Sequence, residues 1–189
     1  MKDQILNRIN SFIDESEVQG KRILEAGSRN VNGSVRSIME KYGPESYFGV
    51  DIEEGDGVDG VCNIYDLISE FGIDEFDIVV CTETLEHVND WRWAVHNLKA
   101  VLKPGGILIF SAPIPGVKYH GYPFDFWRYS KRDCELIFRD MNIINMGYIL
   151  HTLVAKMEKP LNFEEAGLSN IELHPVEAKK RKRRIRNEN

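Results

Sequence analysis

Five short apolar runs, separated by segments of helical periodicity, set the architecture open to this chain. RILEAG (22–27), SYFGVD (46–51), VDGVCN (58–63), FDIVVCTE (76–83) and GGILIFSAP (105–113) read as strands. SVRSIMEKY (34–42) and DWRWAVHNLKAVL (90–102) have the length and periodicity of crossover helices, and Lys103-Pro104-Gly105-Gly106 is a stop signal after the second. Strands that are apolar along their whole length, alternating with helices, are the mark of a parallel sheet covered on both faces. The expected fold class is therefore α/β: a single domain with a doubly wound, mostly parallel sheet and helices on both faces. Ahead of it, Ile5, Leu6, Ile9, Phe12 and Ile13 recur at helical spacing, so 3–17 is expected to form one amphipathic helix that ends near Gly20. Behind it, 114–130 has loop character despite Phe124, Phe126 and Trp127. Residues 131–141 read as a helix, 142–157 as one or two closing strands, and 161–178 carry no clear pattern.

Several function classes are excluded by composition. The 189 residues suffice for a self-supporting core, and no apolar run approaches the roughly 20 residues of a membrane-spanning helix. The start lacks the apolar stretch and cleavage site of a secretory signal, so a cytoplasmic location is expected. Cys62, Cys81 and Cys134 are odd in number and far apart, which argues against a disulfide framework or a zinc knuckle. The histidines at 87, 96, 120, 151 and 174 show no pairing at metal-ligand spacing, so the sequence names no metal ligands and leaves metal dependence unsupported. The net charge of -6 divides unevenly: residues 1–178 hold 17 basic and 29 acidic side chains, whereas 179–189 hold seven Lys and Arg against Glu188. An acidic body is a poor polyanion-binding surface, so nucleic acid is not expected as a partner. Only the basic tail could dock on nucleic acid or an anionic membrane, and a solvated end is its simplest reading.

In an open parallel sheet the ligand crevice lies beyond the carboxyl ends of the strands, so those ends carry the chemistry. The first strand ends in Glu25-Ala26-Gly27-Ser28, with Gly33 before the next helix. Gly27 can adopt a backbone shape closed to other residues, and Glu25 places a carboxylate within reach of a ligand amine. Asp51, 24 residues after Gly27, stands near the spacing at which an acid accepts hydrogen bonds from ribose hydroxyls. Asn63 offers an amide able to donate to and accept from a purine edge, and Thr82-Glu83 add polar groups to the fourth strand end. Four polar strand ends in succession point to a nucleoside-like ligand.

These residues resemble the class I S-adenosylmethionine-dependent methyltransferases, in particular the methyltransferase type 11 family, over 21–141. ILEAGS is similar to the family's first motif, FGVDI to its ribose-binding strand end, VCNIYDL to its adenine-contacting segment, and FDIVVCTETLEHVNDW with LKAVLKPGGILIFSAP to its fourth-to-fifth-strand signature. HGYPFDFWRYS is similar to a segment found in a subset of these enzymes, often encoded among polysaccharide-synthesis genes. The resemblance implies a Rossmann-like methyltransferase fold over 21–160, after an N-terminal helix in 1–20 and before a C-terminal extension with a basic tail in 161–189. It implies S-adenosyl-L-methionine as cofactor. Glu25, Gly27 and Ser28 would border the methionine part, with Gly33 in the same loop; Asp51 would hold the ribose and Ile52 pack on adenine. Asn63 and Ile64 would meet the adenine edge, and Thr82 and Glu83 would line the methionine side beside Leu85 and His87. The sequence departs from the family pattern in GSRNVNG, with two glycines where three are usual, and in Asn63, where an aspartate is usual.

A sulfonium methyl is already activated, so such an enzyme mainly aligns an acceptor behind it and removes a proton where the acceptor demands one. Candidate catalytic residues for that removal are His87, His120 and Asp125. Phe124, Phe126 and Trp127 would either plug the domain edge or form a lid that excludes water. Arg128 and Tyr129 have two readings, a substrate anion or a carboxylate of the body. Trp91, near its helix start, is expected to border the pocket and Trp93 to pack in the core. The expected function is methyl transfer to a small-molecule or saccharide-linked acceptor. A non-catalytic S-adenosylmethionine-binding module and a nicotinamide-dependent oxidoreductase are the rivals, and the helix at 3–17 leaves a homodimer open.

Overall fold

The computed structural model describes residues 3–31, 33–121 and 124–176; the basic tail at 179–189 lies outside them. The first three parallel strands are β1 (Arg22–Ala26), β2 (Ser46–Asp51) and the short β3 (Gly60–Val61). They are followed by β4 (Phe76–Thr82) and β5 (Leu102–Pro113). Two further strands, β7 (Asn142–Ile149) and β8 (Thr152–Glu158), close the sheet. Among the described residues it has seven strands in the order β3-β2-β1-β4-β5-β8-β7, with β8 antiparallel to both neighbours. The chain starts in the middle, winds outward through β2 and β3, then returns to add β4 beside β1. That reversal makes a crevice over the carboxyl ends of β1 and β4, where an open α/β sheet takes its ligand.

Side chains along β4 alternate between two cores, as a period of two requires. Ile78 and Val80 face one side with α1 (Asp3–Asn10), α2 (Glu15–Val18) and α3 (Arg36–Met39). Val79 and Cys81 face the other with α4 (Leu67–Phe71), α5 (Trp91–Val101) and α6 (Lys131–Ile137). The expected single helix at 3–17 is instead two, and the break has a cause. The Phe12 carbonyl accepts the buried Lys156 ammonium of β8 at 2.7 Å, and Asp14 starts the second helix, its backbone N–H donating to Glu17 at 2.9 Å. The apolar face of this segment is not free for a second copy: Ile5, Ile9, Phe12 and Ile13 are buried against the protein's own sheet.

The stretch 161–176, unpatterned in sequence, wraps the α5 side of the domain. Leu168, Ile171 and Leu173 are buried in the main core, and the Arg92 guanidinium donates to the carbonyls of Leu168 and Ile171. A two-residue strand, β9 (His174–Pro175), pairs with β6 (Trp127–Arg128) and so ties this stretch to the loop after β5. No helix among the described residues is long and apolar enough to cross a membrane.

Candidate active site

β1 delivers Glu25 and Gly27 to the crevice, and Gly27 is the pivot. Its φ of +83° is left-handed, and a Cβ there would stand 2.0 Å from Thr84 Oγ1 and 2.8 Å from Thr84 Cβ. The strand therefore leaves the sheet through a bend only glycine accepts at low cost, with the loop after β4 pressed against it. The amides of Gly27 and Ser28 both donate to the Val50 carbonyl, at 2.8 and 3.0 Å, which folds the loop back along β2. Two acids tie down the GSRNVNG loop: Arg29 pairs with Glu53, and the Asn30 side chain donates to Asp56 at 2.8 Å. Among the described residues the Ser28 hydroxyl is buried there without a partner.

Asp51 ends β2 with its carboxylate accepting the backbone N–H groups of Arg29, at 3.2 Å, and Glu53, at 3.3 Å. Beside it Ile52 is 56% exposed, an apolar side chain held at the rim, and Ile64 is buried across from it. Asn63 caps the turn after β3, its Oδ1 accepting the Tyr65 N–H at 3.0 Å. That bond orients the amide, so the Oδ1 expected for an adenine amine has one lone pair already committed. Glu25 accepts the Tyr47 hydroxyl at 2.7 Å, and burial pushes its carboxyl up to about 7, against that hydrogen bond and the charge of Arg36.

At the other end of the crevice, β4 runs into Thr82-Glu83-Thr84 and a single turn, Leu85–His87. Glu83 has a left-handed φ of 51°, and its carboxylate accepts the Ser111 hydroxyl at 3.0 Å. Burial and the neighbouring Glu86 charge push the Glu83 carboxyl up to about 8. His87 Nδ1 lies 2.6 Å from the Phe124 carbonyl, which accepts its hydrogen and leaves Nε2 bare. His120 stands edge-on to His87, ring centres 5.6 Å apart, and the Glu86 carboxylate holds its imidazole above the usual histidine range against partial burial. Burial alone would raise the Asp125 carboxyl, but the Arg128 guanidinium at 2.5 and 2.7 Å and the His120 backbone N–H at 2.9 Å outweigh it and hold it low.

All ten residues singled out at the strand ends line one cavity of about 1530 Å³: Glu25, Gly27, Ser28, Gly33, Asp51, Ile52, Asn63, Ile64, Thr82 and Glu83. His87, His120, Phe124 and Phe126 line its far end, whereas Asp125 and Trp127 do not line it. Arg128 is buried against Asp125 and Tyr129 donates to the Leu85 carbonyl at 3.2 Å, so both brace the body. Neither tryptophan takes its expected place, and neither lines the cavity. Trp91 is buried in the core, while Trp93 is 47% exposed, stacked on His96 and donating to the Tyr65 carbonyl. Sequence reasoning passed over Glu86, which is fully buried and lines the same cavity; its signal was an acid directly before His87 and three residues after Glu83.

An adenosine bearing a sulfonium tail fits these residues. A Cβ at Gly27 would fill the cradle, Gly49 lacks a Cβ where one would strike the Ser28 hydroxyl at 2.6 Å, and Ser28 presents an orphaned buried hydroxyl. Residues 1–143 match the family described as the methyltransferase domain, and the chain belongs to it: its class is that of the S-adenosylmethionine-dependent methyltransferases. Similar proteins include the ubiquinone biosynthesis O-methyltransferases of Hahella chejuensis, 32% identical over 53% of this chain and 47% of that protein, and of Coxiella burnetii, 27% identical over 55% and 48%. The chain thus spans about half the length of the curated relatives it matches. The fold is shared with Burkholderia thailandensis 1,6-didemethyltoxoflavin-N1-methyltransferase (TM-score 0.64, 14% identity, 82% of this chain and 78% of that one). It is shared as well with the Synechocystis magnesium protoporphyrin IX methyltransferase (TM-score 0.62, 14% identity, 82% of each chain). Both of those structures hold S-adenosylhomocysteine.

Proposed function

We propose that the protein transfers a methyl group from S-adenosylmethionine to a hydroxyl of a small or saccharide-linked acceptor entering at the His87 and His120 end of the cavity. The supporting observation is the convergence of ten strand-end residues with Val117, His120, Gly121, Phe124 and Phe126 on one hollow. Bound there, the cofactor supplies an electrophilic methyl that needs no further activation. The Asp51 carboxylate accepts the ribose hydroxyls, Ile52 and Ile64 flank the adenine, Asn63 meets its edge, and Glu25 takes the ammonium of the methionine part. Gly27, Ser28 and Gly33 shape the turn around that part, and Thr82 and Glu83 border it from β4. Phe124 and Phe126 exclude water, and His87 and His120 stand where an acceptor proton would be held or passed on, with Asp125 orienting His120 from behind. An oxygen acceptor is supported by the two O-methyltransferase relatives and by the carboxylates and imidazoles gathered at that end.

Removing the carboxylate that accepts the ribose hydroxyls forfeits about 1.5–3 kcal/mol, so Asp51→Ala is expected to weaken S-adenosylhomocysteine binding by at least about tenfold in calorimetry. Unchanged affinity would remove the ribose assignment. Mass spectrometry of products from a panel of hydroxylated aromatics and saccharides tests the transfer itself, and tight binding without turnover across the panel would favour a binding module.

Glu25 gives a pH signature. A carboxyl held at about 7 must ionise before it can pair with an ammonium, so cofactor affinity is expected to rise by about tenfold in all between about pH 6 and pH 8 and to level off above that. Glu25→Gln should flatten that rise. The sign reverses for the ligand-free protein: the raised carboxyl binds its proton better folded than unfolded. Its stabilising share is therefore present below 4.5 and lost as pH climbs toward 7, which thermal melts of wild type and Glu25→Gln would read.

A further inference from the structure

Glu86 is 0% exposed, and among the described residues neither of its carboxylate oxygens has a hydrogen-bond partner. A carboxylate stripped of water and given no donor is among the costliest groups a fold can contain, and it persists where something cationic compensates it. Two imidazole nitrogens face it, His87 Nε2 at 3.7 Å and His120 Nε2 at 3.8 Å from Oε1. Those separations are too long for hydrogen bonds. They are within a few tenths of the roughly 3.4 Å edge of a tetrahedron whose bonds are about 2.1 Å long, the bond length of zinc to nitrogen and oxygen. One ligand atom from each of the three residues lies within 4.8 Å of the others.

The groups behind these atoms have the arrangement of an outer coordination shell. The Phe124 carbonyl takes the Nδ1 hydrogen of His87, which leaves Nε2 as its lone-pair nitrogen. The Asp125 carboxylate lies 3.4 Å from His120 Nδ1 and is itself fixed by Arg128. Gly121 permits the loop to close this way, since a Cβ there would strike Asp125 Cβ at 2.6 Å and His87 Cε1 at 2.8 Å. Two imidazoles and one carboxylate form a borderline donor set that suits zinc, cobalt, iron or manganese better than magnesium or calcium.

We propose that Glu86, His87 and His120 bind one divalent first-row transition-metal ion, with a coordination position left open toward the cavity. If the proposed methyl transfer is right, that open position would take an oxygen of the acceptor, and this second clause rests on that reading. The ion's binding does not.

The test is calorimetry of the metal-stripped, untagged full chain with Zn²⁺ alone, repeated with Co²⁺ by absorption spectroscopy, alongside S-adenosylhomocysteine titrations of the same samples. One ion per chain is expected. Glu86→Gln and His120→Asn should each weaken binding by about a hundredfold or more, and Asp125→Asn, acting through His120, by about tenfold. Glu86→Gln also removes the buried charge, so the metal-free variant should melt higher than wild type while losing the metal-induced rise in Tm, which separates lost ligation from misfolding. Failure to bind either ion, or binding that Glu86→Gln and His120→Asn leave unchanged, overturns the metal site. Metal binding without S-adenosylhomocysteine binding overturns the cofactor reading alone.

Discussion

Gly27→Ala should cost the protein its cofactor: S-adenosylhomocysteine affinity is expected to fall by about a hundredfold or more in calorimetry, a loss of roughly 2.8 kcal/mol. Two effects add. A Cβ at a φ of +83° costs about 1–2 kcal/mol for an L residue. The same atom would sit inside van der Waals contact of three Thr84 atoms, and the 2.8 Å approach to Thr84 Cβ cannot be relieved by rotating that side chain. Either β1 or the loop after β4 must withdraw, and Gly27 and Thr84 both line the cavity. Thr84→Gly separates the two effects. In the double variant the collision is gone and only the backbone strain remains, so affinity should recover by about tenfold while staying below wild type. If Gly27→Ala binds as wild type does, the bend is not the cofactor cradle, whatever its conformation.

How much of this was legible beforehand follows from what each feature depends on. Strand and helix identities rest on local periodicity, and β2 emerged with the expected bounds, 46–51. The convergence of Glu25, Asp51, Asn63 and Thr82 was legible too, because parallel strands in one sheet bring their carboxyl ends to one side. The break in 3–17 was not, since its agent is Lys156, far along the chain on β8. Periodicity alone also cannot say which of Trp91 and Trp93 points inward. That is decided by the packing of α5 on the sheet, where Trp91 joins the core and Trp93 finds Tyr65. Glu86 shows the same limit at the site: the sequence offers it one histidine at 87, and the second arrives only when the loop carrying His120 folds over.

The far end of α5 holds the largest expected effect on stability. Lys99 and Asp140 pair at 2.8 Å with side chains 1% and 2% exposed, and the same ammonium donates to the Ile137 carbonyl at 2.9 Å. Burial pulls the Lys99 ammonium below the usual lysine range, with Asp140 opposing it. Asp140 in turn accepts the Ala166 N–H at 2.9 Å, which joins α5, the segment after α6 and the 161–176 wrap at one point. Lys159 closes the same corner, donating to the Lys99 and Leu102 carbonyls where α5 ends. Asp140→Ala leaves a buried ammonium without its counter-charge and an amide without its acceptor. The expected loss is about 3–5 kcal/mol of unfolding free energy in urea denaturation. Asp140→Asn, which keeps an acceptor for Ala166, should lose less. Replacing both partners, Lys99→Met with Asp140→Leu, should return the protein close to wild-type stability, because burying the pair costs desolvation that apolar side chains avoid. None of these residues lines the cavity, so cofactor affinity of the folded fraction should stay unchanged across the series. A double variant as unstable as Asp140→Ala would show instead that this corner is held by shape rather than by its charges.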